Sequence, residues 1–147
     1  MVNPLYPCLW FDGNAKEAAE FYCSVFKNSK ITVATPMVVN FELNGRKFMG
    51  LNGGPMFNFT EAVSFVIDCA DQAEVDHYWN TLTADGGQES MCGWLKDKYG
   101  LSWQVVPVEL GELMSKGDPK KANAMMQALL KMKKLDIAVL KAAYDAG

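Results

Sequence analysis

The side chains with the most reactive chemistry in this sequence are one histidine and four cysteines, and their spacing matches no catalytic or metal-binding motif. His77 lies between Val75 and Tyr78, off the apolar stripe of a predicted helix, so we expect its ring to point towards solvent. A serine or cysteine nucleophile needs a neighbouring base, and His77 is the only imidazole in the sequence. Histidine-based metal sites and Ser-His or Cys-His catalysis therefore have little support.

The cysteines, Cys8, Cys23, Cys69 and Cys92, lack the CxxC spacing of zinc and redox sites. Cys8 and Cys69 lie within apolar runs, so we predict reduced and mostly buried thiols. Cys92 follows a different pattern, since Gly93 beside it could leave the thiol partly exposed. No basic neighbour is evident that would activate it.

The charge balance argues against nucleic acid and anionic membranes as partners. The 147 residues carry a net charge of −3 with a pI near 5.1, whereas both partners require a concentrated basic surface. The densest basic group, Lys131, Lys133 and Lys134, is typical of a solvated helix face. No apolar run approaches the roughly 20 residues of a membrane-spanning helix, and the N-terminal segment lacks the features of a signal peptide. We therefore expect a cytoplasmic protein with no membrane partner.

An internal repeat positions these residues. Asn14 and Glu17 are spaced as a capping box at the start of a helix, and Asp71 and Glu74 repeat the pair 57 positions later. Apolar residues follow each pair at the spacing i, i+3, i+4, i+7 of a helix that packs on one side. A doubled helix with strand-like runs around it predicts two similar modules packed together.

Both halves show the order strand, helix and three strands. Strand-like runs of the first half are 5–11, 31–34, 37–43 and 47–51, and Asn44-Gly45 predicts a type I′ hairpin turn between the last two. The corresponding runs of the second half are 63–67, 89–92, 94–97 and 101–106. We thus predict an α+β fold of paired βαβββ modules, with the first module in about 1–60 and the second in about 61–108.

A helical tail is predicted for residues 109–147. Asp118-Pro119 is a typical helix start, and Asp136 can cap a last short helix. Three methionines, Met125, Met126 and Met132, give this segment an adaptable apolar surface. They could pack within the chain, close over a cleft or join a dimer interface.

Three long tracts resemble one known family. LWFDGNA at 9–15, FMGLNGGP at 48–55 and CGWLKDKYGLSWQ at 92–104 are similar to the PhnB-like branch of the vicinal oxygen chelate superfamily, which is often labelled 3-demethylubiquinone-9 3-methyltransferase. The superfamily includes glyoxalase I, extradiol dioxygenases and bleomycin-binding proteins. The resemblance covers nearly the whole chain, tail included, and implies a single glyoxalase-like domain that forms a homodimer.

The resemblance also implies where a metal would bind. Metal-dependent members hold their ligands on the first and last strands of each half, and the repeat assigns those places to Pro7, Met49, Ser64 and Gln104, with Tyr6 as an alternative to Pro7. None of these is a histidine or a carboxylate, so the set supplies no charge to offset the desolvation of an ion. We therefore expect no metal and no other cofactor.

The methyltransferase label finds no motif to support it. An S-adenosylmethionine domain of the doubly wound type needs a glycine-rich loop between its first strand and a helix. Asp12-Gly13-Asn14 contains a single glycine, and Gly53-Gly54-Pro55 leads to no capped helix. Both tracts are predicted to be turns, so we do not expect this cofactor to bind.

Strand alternation divides the last strand of each half into a cleft face and a helix face. With Gln104 on the cleft face, Trp103 and, by the repeat, Phe48 belong to the core. Gln104 either contacts a ligand or bonds a neighbouring strand, and Trp94 is either core or cleft wall. The charged run at 96–98 is predicted to be a solvated turn. The predicted ligand-binding residues share the cleft face: Trp10, Met49, Leu51, Ser64, Trp94 and Gln104.

Two functions stay open. The first is a protein that binds a small aromatic or amphipathic compound without altering it. The alternative is a metal-free or metal-degenerate enzyme of isomerase, lyase or transferase type. The lack of a histidine or an obvious cleft carboxylate favours binding, because acid-base catalysis needs a group that titrates near neutral pH. A carboxylate of Glu42, Glu89 or Asp97 turned into the cleft would favour the enzyme.

Overall fold

A computed structural model describes residues 3–147, which divide into two compact units, one ending at Phe59 and the other beginning at Thr60. Each unit opens with a strand, a helix and three further strands, as the repeat predicts. The predicted α+β class with paired βαβββ modules and a helical tail is therefore confirmed. None of the helices in residues 3–147 has the length and apolar character needed to cross a membrane.

The first unit contains β1 (Cys8–Phe11), α1 (Ala15–Val25), β2 (Lys30–Ala34), β3 (Val38–Leu43) and β4 (Arg46–Asn52). Its sheet has the order β1-β4-β3-β2, with β1 parallel to β4 and the other pairs antiparallel. Phe41 and Phe48 stack with ring centroids 5.5 Å apart, and Tyr22 of α1 packs on Phe41. The core position expected for Phe48 is thus confirmed, since only 8% of its surface is exposed.

The predicted hairpin turn between β3 and β4 is present. Asn44 and Gly45 have φ angles of 51° and 79°, the two left-handed conformations that a type I′ turn requires. Asparagine and glycine adopt this region at the lowest energetic penalty, so the residue pair determines the turn.

The capping box expected at Asn14 is wrong. The Asn14 side chain makes no capping hydrogen bond, and the Ala15 amide instead donates to Oδ1 of Asn52, 2.9 Å away. Asn52 ends β4, and its own amide group donates to the Pro36 carbonyl at 3.0 Å. A side chain distant in sequence therefore caps α1.

The second unit contains β5 (Ser64–Cys69), α2 (Gln72–Thr83), β6 (Gln88–Glu89), β7 (Trp94–Lys96), β8 (Ser102–Pro107), α3 (Val108–Met114), α4 (Pro119–Leu129) and α5 (Ile137–Ala146). Its sheet repeats the pattern of the first, in the order β5-β8-β7-β6, with β5 parallel to β8. The cap predicted at the start of α2 is confirmed, because Asp71 Oδ1 accepts from the Glu74 amide at 2.9 Å.

The strand predicted for 89–92 is wrong beyond Glu89. Residues 90–93 form a turn in which Cys92 and Gly93 have positive φ angles of 62° and 84°. Their amides donate to the carbonyl oxygens of Met132 and Lys133 at 2.7 and 2.9 Å. Backbone acceptors in the helical tail thus replace the strand partner that local sequence would suggest.

The helical tail packs within the second unit. Asp118 and Asp136 cap α4 and α5 as predicted, whereas α3 is an additional helix that the sequence reasoning missed. The tail has its own apolar core, and Met125 within it is fully buried. This core consists of Leu113, Met125, Leu129, Leu135, Leu140 and Tyr144. Of the three placements considered for the tail methionines, packing within the chain is the one observed, with Met126 and Met132 against this core.

The expectation of mostly buried thiols needs correction. All four cysteines are free, but only Cys69 is buried; Cys8 is exposed, and Cys23 and Cys92 are intermediate. Strand alternation explains the difference, since Cys8 lies on the face of β1 that α1 does not cover.

Candidate functional site

The sheet of the second unit has one face covered by α2 and one open face. Leu95, Trp103 and Val105 are buried on the covered face, as expected for Trp103. The open face carries Gln104 beside Trp94 as one cross-strand pair and Ser102 beside Lys96 as the next. β5 adds Ser64, the parallel partner of Ser102, and Val66, the partner of Gln104. Three of the predicted site residues, Ser64, Trp94 and Gln104, therefore share one surface.

A hydrogen bond joins two of these residues. Nε2 of Gln104 donates to Oγ of Ser64 at 3.0 Å, across the β5–β8 pair. Both side chains are half-buried, so the bond lies at the surface of the open face rather than in the core. The strand-bonding interpretation of Gln104 is thus observed, and the bond holds its amide in place on the predicted ligand side.

A cavity of about 240 Å³ adjoins the open-face residues Trp94, Lys96 and Ser102. Trp94, which the sequence left open between core and cleft wall, is half-buried and forms part of the cavity wall. The lining residues come from the three strands β6, β7 and β8, from the turn after β6 and from the segment before β5: Glu61, Gln88, Glu89, Ser90, Trp94, Leu95, Lys96 and Ser102.

The cavity contains an ion pair and a buried hydroxyl. Lys96 Nζ pairs with the Glu61 carboxylate, and the hydrogen bond and charge of Lys96 hold the pKa of Glu61 below its usual value. Ser102 is only 1% exposed, and its Oγ has no hydrogen-bond partner within residues 3–147. Buried hydroxyls nearly always have a partner, so this atom is unusual.

Sequence reasoning missed Lys96 and Glu61 as site residues. The run 96–98 was expected to be a solvated turn, but Lys96 lines the cavity and Asp97 is only 2% exposed. Asp97 accepts from the amides of Tyr99 and Leu101 and from Nε1 of Trp103. The available signal was strand alternation, because Lys96 lies two residues after Trp94 and must share its face.

The sheet of the first unit carries the other predicted residues on its own open face. Trp10 is the strand partner of Leu51, and Met49 pairs with Cys8 on one side and Asn40 on the other. Trp10, Met49 and Leu51 are each partly exposed. Their predicted ligand contacts remain predictions.

Trp10 is held by the segment that follows β4. Its Nε1 donates to the Gly54 carbonyl at 2.8 Å, and the Phe57 ring meets it edge-on at 4.8 Å. A Cβ atom on Gly53 would come within 2.3 Å of the indole, so only glycine fits there. Trp10 therefore has a structural role in addition to its predicted one.

The strand registers select Tyr6 over Pro7 as the counterpart of Ser64. Cys8 lies opposite Met49, and Val66 lies opposite Gln104, which places Tyr6 and Ser64 two residues before the respective partners. The expected assignment of Pro7 is one residue out of register, because the spacing between repeats is 58 residues in this strand and 57 in the helix. Lys47 Nζ lies 4.0 Å from the centre of the Tyr6 ring.

These positions do not fit a metal ion. In the first unit Tyr6 and Met49 provide a phenol and a thioether, and in the second unit Ser64 and Gln104 provide a hydroxyl and an amide. Transition metals in proteins are held mainly by imidazole, thiolate or carboxylate, and hard divalent cations by several carboxylate or carbonyl oxygens, so neither pair supplies a suitable set. The Ser64 hydroxyl is moreover engaged by Gln104. Within residues 3–147, no three His, Cys, Asp or Glu side chains lie close enough together to hold a metal ion.

The three carboxylates that could favour catalysis differ in placement. Asp97 accepts from two amides of its own turn and from the Trp103 indole in β8, and Glu89 Oε1 accepts from Nε1 of Trp79 in α2 at 2.7 Å. Glu89 also lines the cavity of the second unit. Glu42 lies on the open face of the first sheet, as the strand partner of Lys30 and Lys47. His77, as expected, is exposed on α2.

Paired strand–helix–three-strand units with this sheet order define a glyoxalase-like protein. The family described as 3-demethylubiquinone-9 3-methyltransferase matches residues 3–106, and the chain belongs to this family. The match ends before the tail. The expectation that the family resemblance extends over the tail is therefore not confirmed.

Solved structures agree with this assignment. The PhnB protein of Bacillus cereus is 31% identical over 71% of this chain and 99% of that chain, with a TM-score of 0.65. A glyoxalase/bleomycin resistance protein of Albidiferax ferrireducens is 13% identical over 69% of this chain and 95% of that one, with a TM-score of 0.52. A glyoxalase-related enzyme of Fulvimarina pelagi is 14% identical over 73% of this chain and 88% of that one, with a TM-score of 0.54. The latter two, at these low identities, show the fold alone. No protein of curated function matches the sequence.

Proposed function

We propose that this protein binds a small organic molecule on the open face of its second sheet and does so without a metal ion. The observation that carries this proposal is the hydrogen bond between Gln104 and Ser64. These residues occupy two positions that correspond to metal-ligand places in related proteins, yet here they bond each other as neutral groups. A neutral polar pair beside an aromatic cavity wall suits an uncharged or amphipathic part of an organic ligand.

The cavity favours a small ligand with a flat apolar part. Its volume of about 240 Å³ lies below the roughly 300–1,000 Å³ of sites for drug-sized compounds. Trp94 offers an indole surface, on which aromatic groups pack with about 0.5–1.5 kcal/mol beyond the burial of area. A small aromatic or amphipathic compound therefore fits the site.

The methyltransferase activity in the family's name is not part of this proposal. Each sheet of residues 3–147 is mixed, and its strand order differs from that of a doubly wound parallel sheet. The glycine-bearing segment after β4 packs on Trp10 and leads into no helix before β5. No S-adenosylmethionine site of the doubly wound kind is supported.

Thermal unfolding in the presence of a panel of aromatic compounds tests the proposal. A compound present at a free concentration of 100 times its Kd should stabilise the protein by about 2.7 kcal/mol. Gln104→Ala should reduce this stabilisation, while Gln127→Ala, on the exposed surface of α4, should leave it unchanged. Absence of any stabilising compound, or an equal effect of both variants, would contradict the proposal.

One observation favours the enzyme as a second candidate. Glu42 lies on the open face of the first sheet, where a carboxylate could accept or donate a proton. Chromatography would measure the conversion of a bound compound. Conversion by the wild type that is abolished in Glu42→Gln would support catalysis. Recovery of the compound unchanged from both proteins would leave binding as the function.

The homodimer and the cytoplasmic location are further parts of the proposal. Both rest on the expectations drawn from the sequence and the resemblance. Sedimentation equilibrium would test the first, with a mass of twice 16.3 kDa as the expected result. Cell fractionation of the native protein would test the second.

A further inference from the structure

The cavity beside Gln104 places a positive charge, a negative charge and a buried hydroxyl around one small volume. Lys96 and Ser102 are cross-strand partners on the open face, and Glu61 reaches Lys96 from the segment before β5. Nearest-neighbour side chains on one face of a sheet are about 5 Å apart at Cβ, so a single small group can contact Lys96 and Ser102 together.

Ser102 is the observation that points to a ligand. Its side chain is 99% buried, it lines the cavity, and its Oγ lacks a hydrogen-bond partner within the described residues. A buried hydroxyl without a partner is unfavourable, because it has lost its hydrogen bonds to water and gained none in return. An acceptor oxygen that enters the cavity would remove this penalty.

The ion pair of Lys96 and Glu61 indicates which charges that ligand carries. The side chains of Lys96 and Glu61 are 37% and 62% exposed, and such partly exposed pairs contribute little stability, so little is lost when a ligand replaces the pair. An anion that takes Lys96 leaves Glu61 unpaired, and a cation that takes Glu61 leaves Lys96 unpaired. A zwitterion replaces one ion pair with two. Glu89, the other carboxylate in the lining, already accepts from Trp79.

We infer that the cavity recognises an amino-acid-type zwitterion, and this inference rests on the proposed function. The carboxylate of the ligand receives hydrogen bonds from Lys96 Nζ and Ser102 Oγ, and its ammonium group donates to Glu61. Its apolar side chain packs on Trp94, which lies two residues before Lys96 on the same face. The volume of about 240 Å³ suits a single amino acid with an aromatic side chain.

Four related probes separate the charge requirement from aromatic binding. Phenylalanine carries both charges, hydrocinnamate the negative one, phenethylamine the positive one and phenethyl alcohol neither. By calorimetric titration at pH 7, phenylalanine should bind about tenfold more tightly than either singly charged probe, because each singly charged probe lacks one of the two charge-assisted hydrogen bonds.

The probes also distinguish the two proposals. Equal affinities, or tightest binding of the alcohol, would overturn the zwitterion while leaving the proposed function intact. The zwitterion is also overturned, and the proposed function kept, if none of the four binds but another aromatic compound stabilises the wild type more than Gln104→Ala. If no compound binds at all, both proposals fail.

A variant of Glu61 gives a readout that a merely structural role would not produce. Glu61→Gln should weaken phenylalanine about tenfold and strengthen hydrocinnamate, since it releases Lys96 for the anion. Loss of both affinities would refute the assignment. Lys16→Met and Glu20→Gln, which break the exposed pair on α1, serve as matched controls and should change neither affinity.

Discussion

At the residue scale, burial and neighbouring charge give chemically identical side chains different properties. Cys69 lies on the covered face of β5 without measurable exposure, and its thiol is 3.7 Å from the Ile67 carbonyl. Burial, with smaller contributions from Glu74, Asp68 and Asp71, raises the pKa of this thiol from 9.0 to about 12. Cys8 on the open face of β1 is exposed.

This raised pKa predicts a pH dependence of stability. Above pH 9.0 the thiol of the unfolded chain loses its proton while the folded one keeps it up to about pH 12, so the folded state loses stability as the pH rises between these values. The loss attributable to Cys69 should approach about 1.4 kcal/mol per pH unit. Urea unfolding of the wild type and of Cys69→Ala between pH 8.5 and 11 measures it. Parallel pH profiles of the two proteins would contradict the prediction.

At the element scale, local sequence predicted most strands and helices but not the contacts that connect distant segments. The period of apolar residues located both repeat helices, and the Asn44-Gly45 pair determined a hairpin turn through backbone conformation alone. The cap of α1 escaped prediction because Asn52 is 37 residues away from the amide it binds. The turn at 90–93 escaped it because its acceptors lie in the tail.

The cap of α1 yields a prediction that separates the two asparagines. Asn52→Ala should lower the free energy of unfolding by about 1 kcal/mol or more, since it leaves the Ala15 amide and the Pro36 carbonyl without their partners. Asn14→Ala should change stability by less than about 0.5 kcal/mol, because its side chain makes no capping bond. Chemical denaturation of both variants tests this. A larger effect at Asn14 would restore the capping box.

The tail can be tested through two leucines. Leu135 is 1% exposed and contacts the position of Gly93, whereas Leu130 is 54% exposed on the same segment. Leu135→Ala should destabilise the protein by about 2–5 kcal/mol, and Leu130→Ala by less than about 0.5 kcal/mol. If thermal unfolding shows that Leu135→Ala destabilises the protein as little as Leu130→Ala does, the tail core does not stabilise the unit.

At the scale of the whole molecule, the sequence predicted the fold better than the candidate site. Repetition made the architecture visible twice, and strand alternation correctly placed Gln104 and Trp103 on opposite faces. The ion pair of Lys96 and Glu61 was not predictable, because Glu61 lies in an irregular segment whose path depends on tertiary structure. The tail adds a helical core beyond the residues that the family match covers.

The most direct test of the central claim is a native mass spectrum of the protein purified without chelators, compared with that of Gln104→Ala. We expect the wild type to carry a small organic molecule, the variant to carry less of it, and neither to carry a divalent metal. A stoichiometric transition metal in the wild type that is lost in Gln104→Ala would contradict the claim.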